Sequence, residues 1–225
     1  MDDLIFKQIL LGPMANFVYL IGSQKTRAAA LVDPAWDIDA LVNAAAEEGL
    51  RITDVLVTHT HPDHVGGNLF GHEIEGVAQL LERVPARVHV HKTEAELFRA
   101  IPRSEIVPSD AQSELVLGEL KIRFIHTPGH TPGSQCFLLN DRLVSGDTLF
   151  IGTCGRCDLP GSSPDQLYES LTQKLMKLDE RTIVFPGHNY APPASTTTIA
   201  AERDHNPFFN FPSKQAFLAA MGVGR

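Results

Sequence analysis

A layered α/β domain is the fold class that these 225 residues predict, and two observations carry it. Strand-length apolar runs alternate with segments of helical periodicity, the pattern of sheets covered by helices. Four of the runs empty into a Gly- or Pro-containing turn that carries a His or an Asp. A rigid sheet that ends this way holds loop residues from distant segments in one crevice. No low-complexity segment, charge block or Gly/Ser linker interrupts the order. One domain is therefore expected over 1–225, with a short helical extension from about 191 onward.

The elements follow in order. Residues 4–10, 16–21 and Ala28–Val32 are strand-length, apolar and separated by turn residues. Ile38, Leu41, Val42 and Ala45 fall at helical spacing across 38–48, with Gly49 as the stop. Further helices are expected over 74–83, 93–101, 164–178, 197–204 and 214–221. The run 54–58 ends at His59, and the run 121–125 precedes a turn that carries His130. The run 142–145 leads through Gly146 to Asp147, and 182–185 leads through Pro186-Gly187 to His188.

Composition narrows the partners. The 43% hydrophobic and 20% charged shares are those of an ordinary globular protein. Nineteen basic against 27 acidic residues give a net charge of −8, which argues against nucleic-acid and anionic-membrane binding. An anionic substrate would need its own local basic residues. No apolar run approaches the roughly 20 residues that span a bilayer. The acidic start Met1-Asp2-Asp3 is unlike a secretory signal, and three cysteines suit a reducing compartment, so a cytoplasmic protein is expected.

The chemistry concentrates in Thr58-His59-Thr60-His61-Pro62-Asp63-His64. Imidazole nitrogens and carboxylate oxygens are the usual ligands of zinc and similar divalent metals. This His spacing with Asp in place would arise by chance in about one chain in a thousand of this composition. Pro62 argues against a regular helix here, which lets alternate side chains face two neighbouring ions. His130, Asp147 and His188 are each ambiguous alone, as turn or capping residues. Their joint recurrence after strands is what makes them candidate ligands.

The ordered motifs THTHPDH, TPGHTPG, SGDT and PGH resemble those of the metallo-β-lactamase superfamily. Gly152-Thr153-Cys154-Gly155-Arg156, Gly187-His188-Asn189-Tyr190 and Glu202 with Asn206-Pro207-Phe208 are similar to the hydroxyacylglutathione hydrolase (glyoxalase II) branch and the related persulfide dioxygenases. The resemblance implies a four-layer αββα sandwich with the site at one edge between the sheets. It implies two divalent metal ions per chain, zinc first and iron or manganese as alternatives. His59, His61 and His130 would hold one metal, Asp63, His64 and His188 the other, and Asp147 would bridge them. Asp63 and Asp147 take a catalytic role as well, and Asp33 supports the ligands from behind. A hydroxide between the metals would attack a small thioester of the S-lactoylglutathione type.

Arg156 and Tyr190 match positions that face glutathione in that branch, against a solvated loop arginine and a half-buried aromatic as the plain alternatives. Phe209-Asn210 stands where the branch usually has a basic residue, and Lys214 is the substitute on offer. Cys154-Gly155-Arg156-Cys157 is read as the branch's CGR loop, with Cys157 incidental. His72, His89, His91, His126 and His205 have no ligand context. The runner-up activity is a persulfide dioxygenase holding one iron through His59, His130 and Asp147. Lactone, phosphodiester and β-lactam hydrolysis are further options on this scaffold. A non-catalytic metal-binding module is disfavoured by the complete ligand set.

Overall fold

A computed structural model describes residues 3–99 and 101–222. The chain opens with strands β1 (Leu4–Leu11), β2 (Asn16–Ser23) and β3 (Ala28–Val32), then helix α1 (Ile38–Glu47) and strand β4 (Arg51–Leu56). A short helix α2 (Pro62–Val65), a hairpin of β5 (Gly67–Leu69) and β6 (His72–Ile74), and helix α3 (Val77–Arg83) follow. Strands β7 (Arg87–His91) and β8 (Ile106–Ser109) complete one six-stranded sheet of order β1-β2-β3-β4-β7-β8. From β3 to β8 its strands run parallel.

The second half repeats the plan. Strands β9 (Glu114–Leu117), β10 (Leu120–His126), β11 (Gln135–Leu139) and β12 (Arg142–Gly146) lead to a small ribbon of β13 (Leu149–Phe150) and β14 (Thr153–Cys154). Helix α4 (Pro164–Glu169), strands β15 (Ile183–Pro186) and β16 (Thr197–Thr198), and helices α5 (Ile199–His205) and α6 (Lys214–Ala220) finish it. The second sheet has the order β16-β15-β12-β11-β10-β9.

Three apolar cores show four layers. Alternation along the strands sends Val18, Leu20, Leu31 and Val55 outward onto α1 and α3. Tyr19, Ile21, Val32 and Leu56 point the other way, against Ile122, Phe124, Phe137 and Val144 of the second sheet. The far face of that sheet packs Leu143 and Val184 on Leu167, Leu171, Ile199 and Phe217 of the last helices. The expected αββα sandwich is the observed fold, and no helix of the described residues is long and apolar enough to cross a membrane.

Four local expectations are corrected. The helix expected over 74–83 begins only at Val77, because Glu75 pairs with Trp36 as an isolated bridge and Ile74 closes the hairpin. The helix expected over 93–101 is a single 3-10 turn, Ala95–Leu97; Ala100 of that range lies outside the described residues. Pro62 does not bar a helix but starts α2 at its first position, where proline's missing N–H costs nothing. The helix expected over 164–178 departs from α geometry after Glu169, passing through a π turn, Ser170–Lys174, and a 3-10 turn, Leu175–Lys177.

Candidate metal centre

All seven predicted ligands meet at one edge, where β4, β12 and β15 end. His59, His61 and His130 converge through one ring nitrogen each, within 4.8 Å of one another, and a carboxylate oxygen of Asp63 converges likewise with one ring nitrogen each of His64 and His188. His61 Nδ1 lies 3.0 Å from His130 Nε2, and His64 Nε2 lies 3.1 Å from His188 Nε2. Asp63 Oδ2 is 3.4 Å from Nε2 of both His64 and His188. Asp147 stands between the sets, with Oδ1 3.4 Å from His64 Nε2 and Oδ2 3.7 Å from His130 Nε2.

These residues fit a pair of cations. Two facing imidazole nitrogens repel unless a proton or a cation shares their lone pairs. His59 Nε2 and Asp147 Oδ1 are buried without a hydrogen-bond partner, a costly state for any polar atom that nothing else satisfies. Both belong to the predicted ligand set. Asp33, His59 and His64 also lie close together. Asp33 is engaged elsewhere, however: it accepts from Thr58 N (2.7 Å), the Thr58 hydroxyl and His64 Nδ1 (3.0 Å). It therefore braces Thr58 and the His64 ring from behind.

Three further ring nitrogens are tied down in the same manner. His59 Nδ1 donates to Thr58 Oγ1 at 3.0 Å, His130 Nδ1 to the Arg156 carbonyl at 2.8 Å, and His188 Nδ1 to the Met14 carbonyl at 3.0 Å. A fixed Nδ1–H leaves Nε2 as the lone-pair nitrogen aimed at the gap. Asn16 Nδ2 donates to Asp63 Oδ2 at 3.0 Å, and Trp36 Nε1 donates to Asn16 Oδ1 at 3.0 Å. The Tyr19 hydroxyl donates to the Pro186 carbonyl. Asn16, Trp36, Tyr19 and Met14 are marked by nothing local in the sequence, while Thr58 stands in the His-rich motif without an assigned role.

Backbone packing sets the loops. Gly187 approaches so closely that a Cβ there would sit 2.3 Å from Asp147 Oδ1. Gly129 has φ +148 and is pressed on Leu167, which lets α4 close over the His130 turn. Ser163 N donates to the Gly129 carbonyl at 2.7 Å, and the Ser170 hydroxyl to the Pro128 carbonyl at 2.8 Å. The Glu202…Asn206 motif has a physical role. Glu202 accepts from Gly152 N at 2.9 Å, and Asn206 Nδ2 donates to the Thr153 carbonyl at 3.1 Å. Both hold the loop that carries the Arg156 carbonyl to His130.

Charge divides the two sets. Burial and the neighbouring imidazoles push His59 well below the usual range and His61 down to about 4. Burial also disfavours a charged His64 and His188, but the carboxylates of Asp147 and Asp63 prevail. His64 is raised well above the ordinary value and His188 to about 9. Burial alone would raise Asp63, yet His188, His64 and Asn16 hold it low.

The candidate substrate residues lie at the rim. Tyr190 is 57% exposed and stacks on the His188 ring, with centroids 4.6 Å apart and planes 7° from parallel. The Arg156 guanidinium is exposed and paired with Asp158, through Nη2 to Oδ2 at 2.6 Å. Lys214 is engaged with Asp165 and Glu169, 3.2 Å from each, which weighs against its standing in as a substrate contact. Cys157 donates to the Gly129 carbonyl, and burial pushes its thiol up to about 12. His89 binds Asp54, His91 stacks on His126, and His205 bonds within its own helix. None of these joins a ligand group among the described residues, nor does the exposed His72.

The metallo-beta-lactamase superfamily model matches residues 11–188. A hydroxyacylglutathione hydrolase of Anaeromyxobacter dehalogenans is 37% identical over 84% of this chain and 67% of its own length. A probable polyketide biosynthesis zinc-dependent hydrolase of Bacillus velezensis is 29% identical over 91% of this chain and 86% of its own. The crystal structure of ETHE1 from Myxococcus xanthus superposes with a TM-score of 0.83 at 32% identity, covering 97% of this chain and 90% of that one.

Two outcomes are expected. Asp147→Ala should abolish turnover and lower bound metal by elemental analysis, while His72→Ala and His205→Ala leave metal content unchanged. Full metal content in Asp147→Ala would exclude a bridging role. The second outcome concerns protons, because ligands must be deprotonated to bind. The carboxylates of Asp147 and Asp63 raise His64 and His188, so a cation there would compete with protons and bind more tightly as pH climbs toward about 9. His59 and His61 are depressed and neutral at pH 7, so these two rings release few protons. Calorimetry at pH 7 in buffers of differing ionisation enthalpy should find proton release concentrated in one of the two binding steps. Equal release in both would contradict this division.

Proposed function

The chain belongs to the metallo-beta-lactamase superfamily, and on that premise we propose that it is a metal-dependent hydrolase of thioesters of the hydroxyacylglutathione type. The observation that carries the proposal is the doubled, gapless ligand set. His59, His61 and His130 would hold one divalent ion and Asp63, His64 and His188 a second, with Asp147 shared. The 37% identical relative named hydroxyacylglutathione hydrolase supports the substrate class. The relative named as zinc-dependent supports zinc, with iron and manganese open to the same His and Asp donors.

When bound, such a pair of divalent ions would supply a water of near-neutral pKa and a Lewis acid for a carbonyl. The chain does the rest. Asp63 and Asp147 flank the gap between the sets, where a carboxylate orients a water by accepting its hydrogen bond. The tethered Nδ1 atoms keep four imidazoles from turning, so little reorganisation accompanies the reaction. Tyr190 and Arg156 border the mouth and supply an aromatic face and a cation for the thiol portion. A thiolate leaves without a dedicated acid. The net charge of −8 fits a small-molecule partner rather than nucleic acid or membrane, and a cytoplasmic setting belongs to the same reading.

The test is a pair of assays. S-lactoylglutathione should be hydrolysed equally fast in air and under nitrogen. Oxygen uptake with glutathione persulfide, beside inert S-lactoylglutathione, would replace this reading by the one-iron dioxygenase. At the rim, Arg156→Ala should raise KM on the order of 5-fold with little change in kcat, as loss of a remote charge contact does. Asp158→Asn, which frees the guanidinium, should lower KM. An unchanged KM in both variants would leave Arg156 a solvated loop residue.

A further inference from the structure

Glu94 follows β7 and belongs to none of the motifs. It is 3% exposed, and its N–H donates to the His91 carbonyl at 2.9 Å, so a tight turn aims its side chain inward. Its two carboxylate oxygens serve different loops. Oε2 accepts from the Thr60 hydroxyl at 2.9 Å, and Oε1 accepts from Gly133 N at 2.8 Å. The fit is close: a Cβ on Gly133 would fall 2.6 Å from Glu94 Cδ.

The two loops are those of the first ligand set. Thr60 separates His59 from His61, and Gly133 lies in the turn that carries His130. One buried carboxylate thus spans the segments that bring His61 Nδ1 within 3.0 Å of His130 Nε2. His61 has the greater need of such a tie. The other four histidines are steered through their second ring nitrogen by Thr58, Asp33, the Arg156 carbonyl and the Met14 carbonyl. Among the described residues no hydrogen bond fixes His61 Nε2. The direction of this ring therefore depends on the backbone at Thr60.

We propose that Glu94 is a positioning residue that clamps the His59–His61 loop to the His130 turn and thereby sets the affinity of the first metal site. It does for that set what Asp33 does for His64. The contact works by geometry rather than by charge, since both partners are neutral donors. A glutamine can preserve it: its carbonyl accepts from Gly133 N while its amide donates to the Thr60 hydroxyl, which can turn to accept.

The inference rests on the two-metal reading above, so the test measures zinc affinity directly, by chelator competition that resolves two dissociation constants. Glu94→Ala and Thr60→Ala should each weaken one site on the order of 10-fold and spare the other, as loss of a partner behind a ligand does. The double variant should be no weaker than the single ones, because both remove one clamp. Glu94→Gln should bind as the natural chain does. Asp54→Asn, which breaks a buried carboxylate's bonds to His89 and Arg87 instead, should lower Tm and leave both affinities unchanged. Thr60→Ala keeps the test open if Glu94→Ala does not fold. Two tight sites in every clamp variant would overturn this inference alone, and so would equal losses in Glu94→Gln or Asp54→Asn. A natural chain that binds no zinc would remove the metal reading and the clamp with it.

Discussion

Lone pairs aimed at a common gap repel, and the organisation of this molecule's active edge answers that repulsion. Five imidazoles and two carboxylates, all but His61 and Asp147 buried, converge with acceptor atoms facing inward, at separations down to 3.0 Å. Left to themselves, such groups would turn to find donors or water. The fold removes that freedom from behind. Each restraint is an ordinary hydrogen bond, modest in net worth, but together they hold a geometry that only cations or protons satisfy.

The restraints come from both sheets, which explains why the site sits at their common edge. Gln135 N donates to the Thr58 carbonyl and Phe17 N to the Gly187 carbonyl, each at 2.8 Å and each crossing from one sheet to the other. Asn16 joins the start of β2 to Asp63. The loops that carry His59 and His188 are thereby each positioned by a strand of the other sheet. The inner core of Tyr19, Leu56, Phe124 and Phe137 keeps the sheets at the spacing these bonds require.

Much of this was legible in the residues. The candidate ligands carry distinctive chemistry at short spacing, and the strands before them alternate or run apolar, so the αββα plan could be read by resemblance and the seven residues that meet at one edge could be singled out. Roles played by backbone could not. The Arg156 carbonyl holds His130, yet a carbonyl looks alike in every residue, and attention falls on the guanidinium instead. Asn16, Trp36 and Glu94 act across separations of 47, 20 and 39 residues, which no local pattern encodes. Pro62 is the opposite case: proline breaks a helix in its interior, but at the first position it starts α2. The run 93–101 shows that apolar spacing can be satisfied by a turn packed on the core as well as by a helix.

The bonds from α5 to the loop at 152–153 have a consequence for motion. Opening of that helix would release Glu202 from Gly152 and Asn206 from Thr153, and with them the support of the carbonyl that orients His130. Anything that binds only the closed arrangement stabilises it by mass action. An ion gripped at the sheet edge would therefore tighten a helix that contributes no candidate ligand to it. Amide protons in α5 would report on metal loading through slower exchange with solvent, and a chelated protein would fray first at that end of the fold.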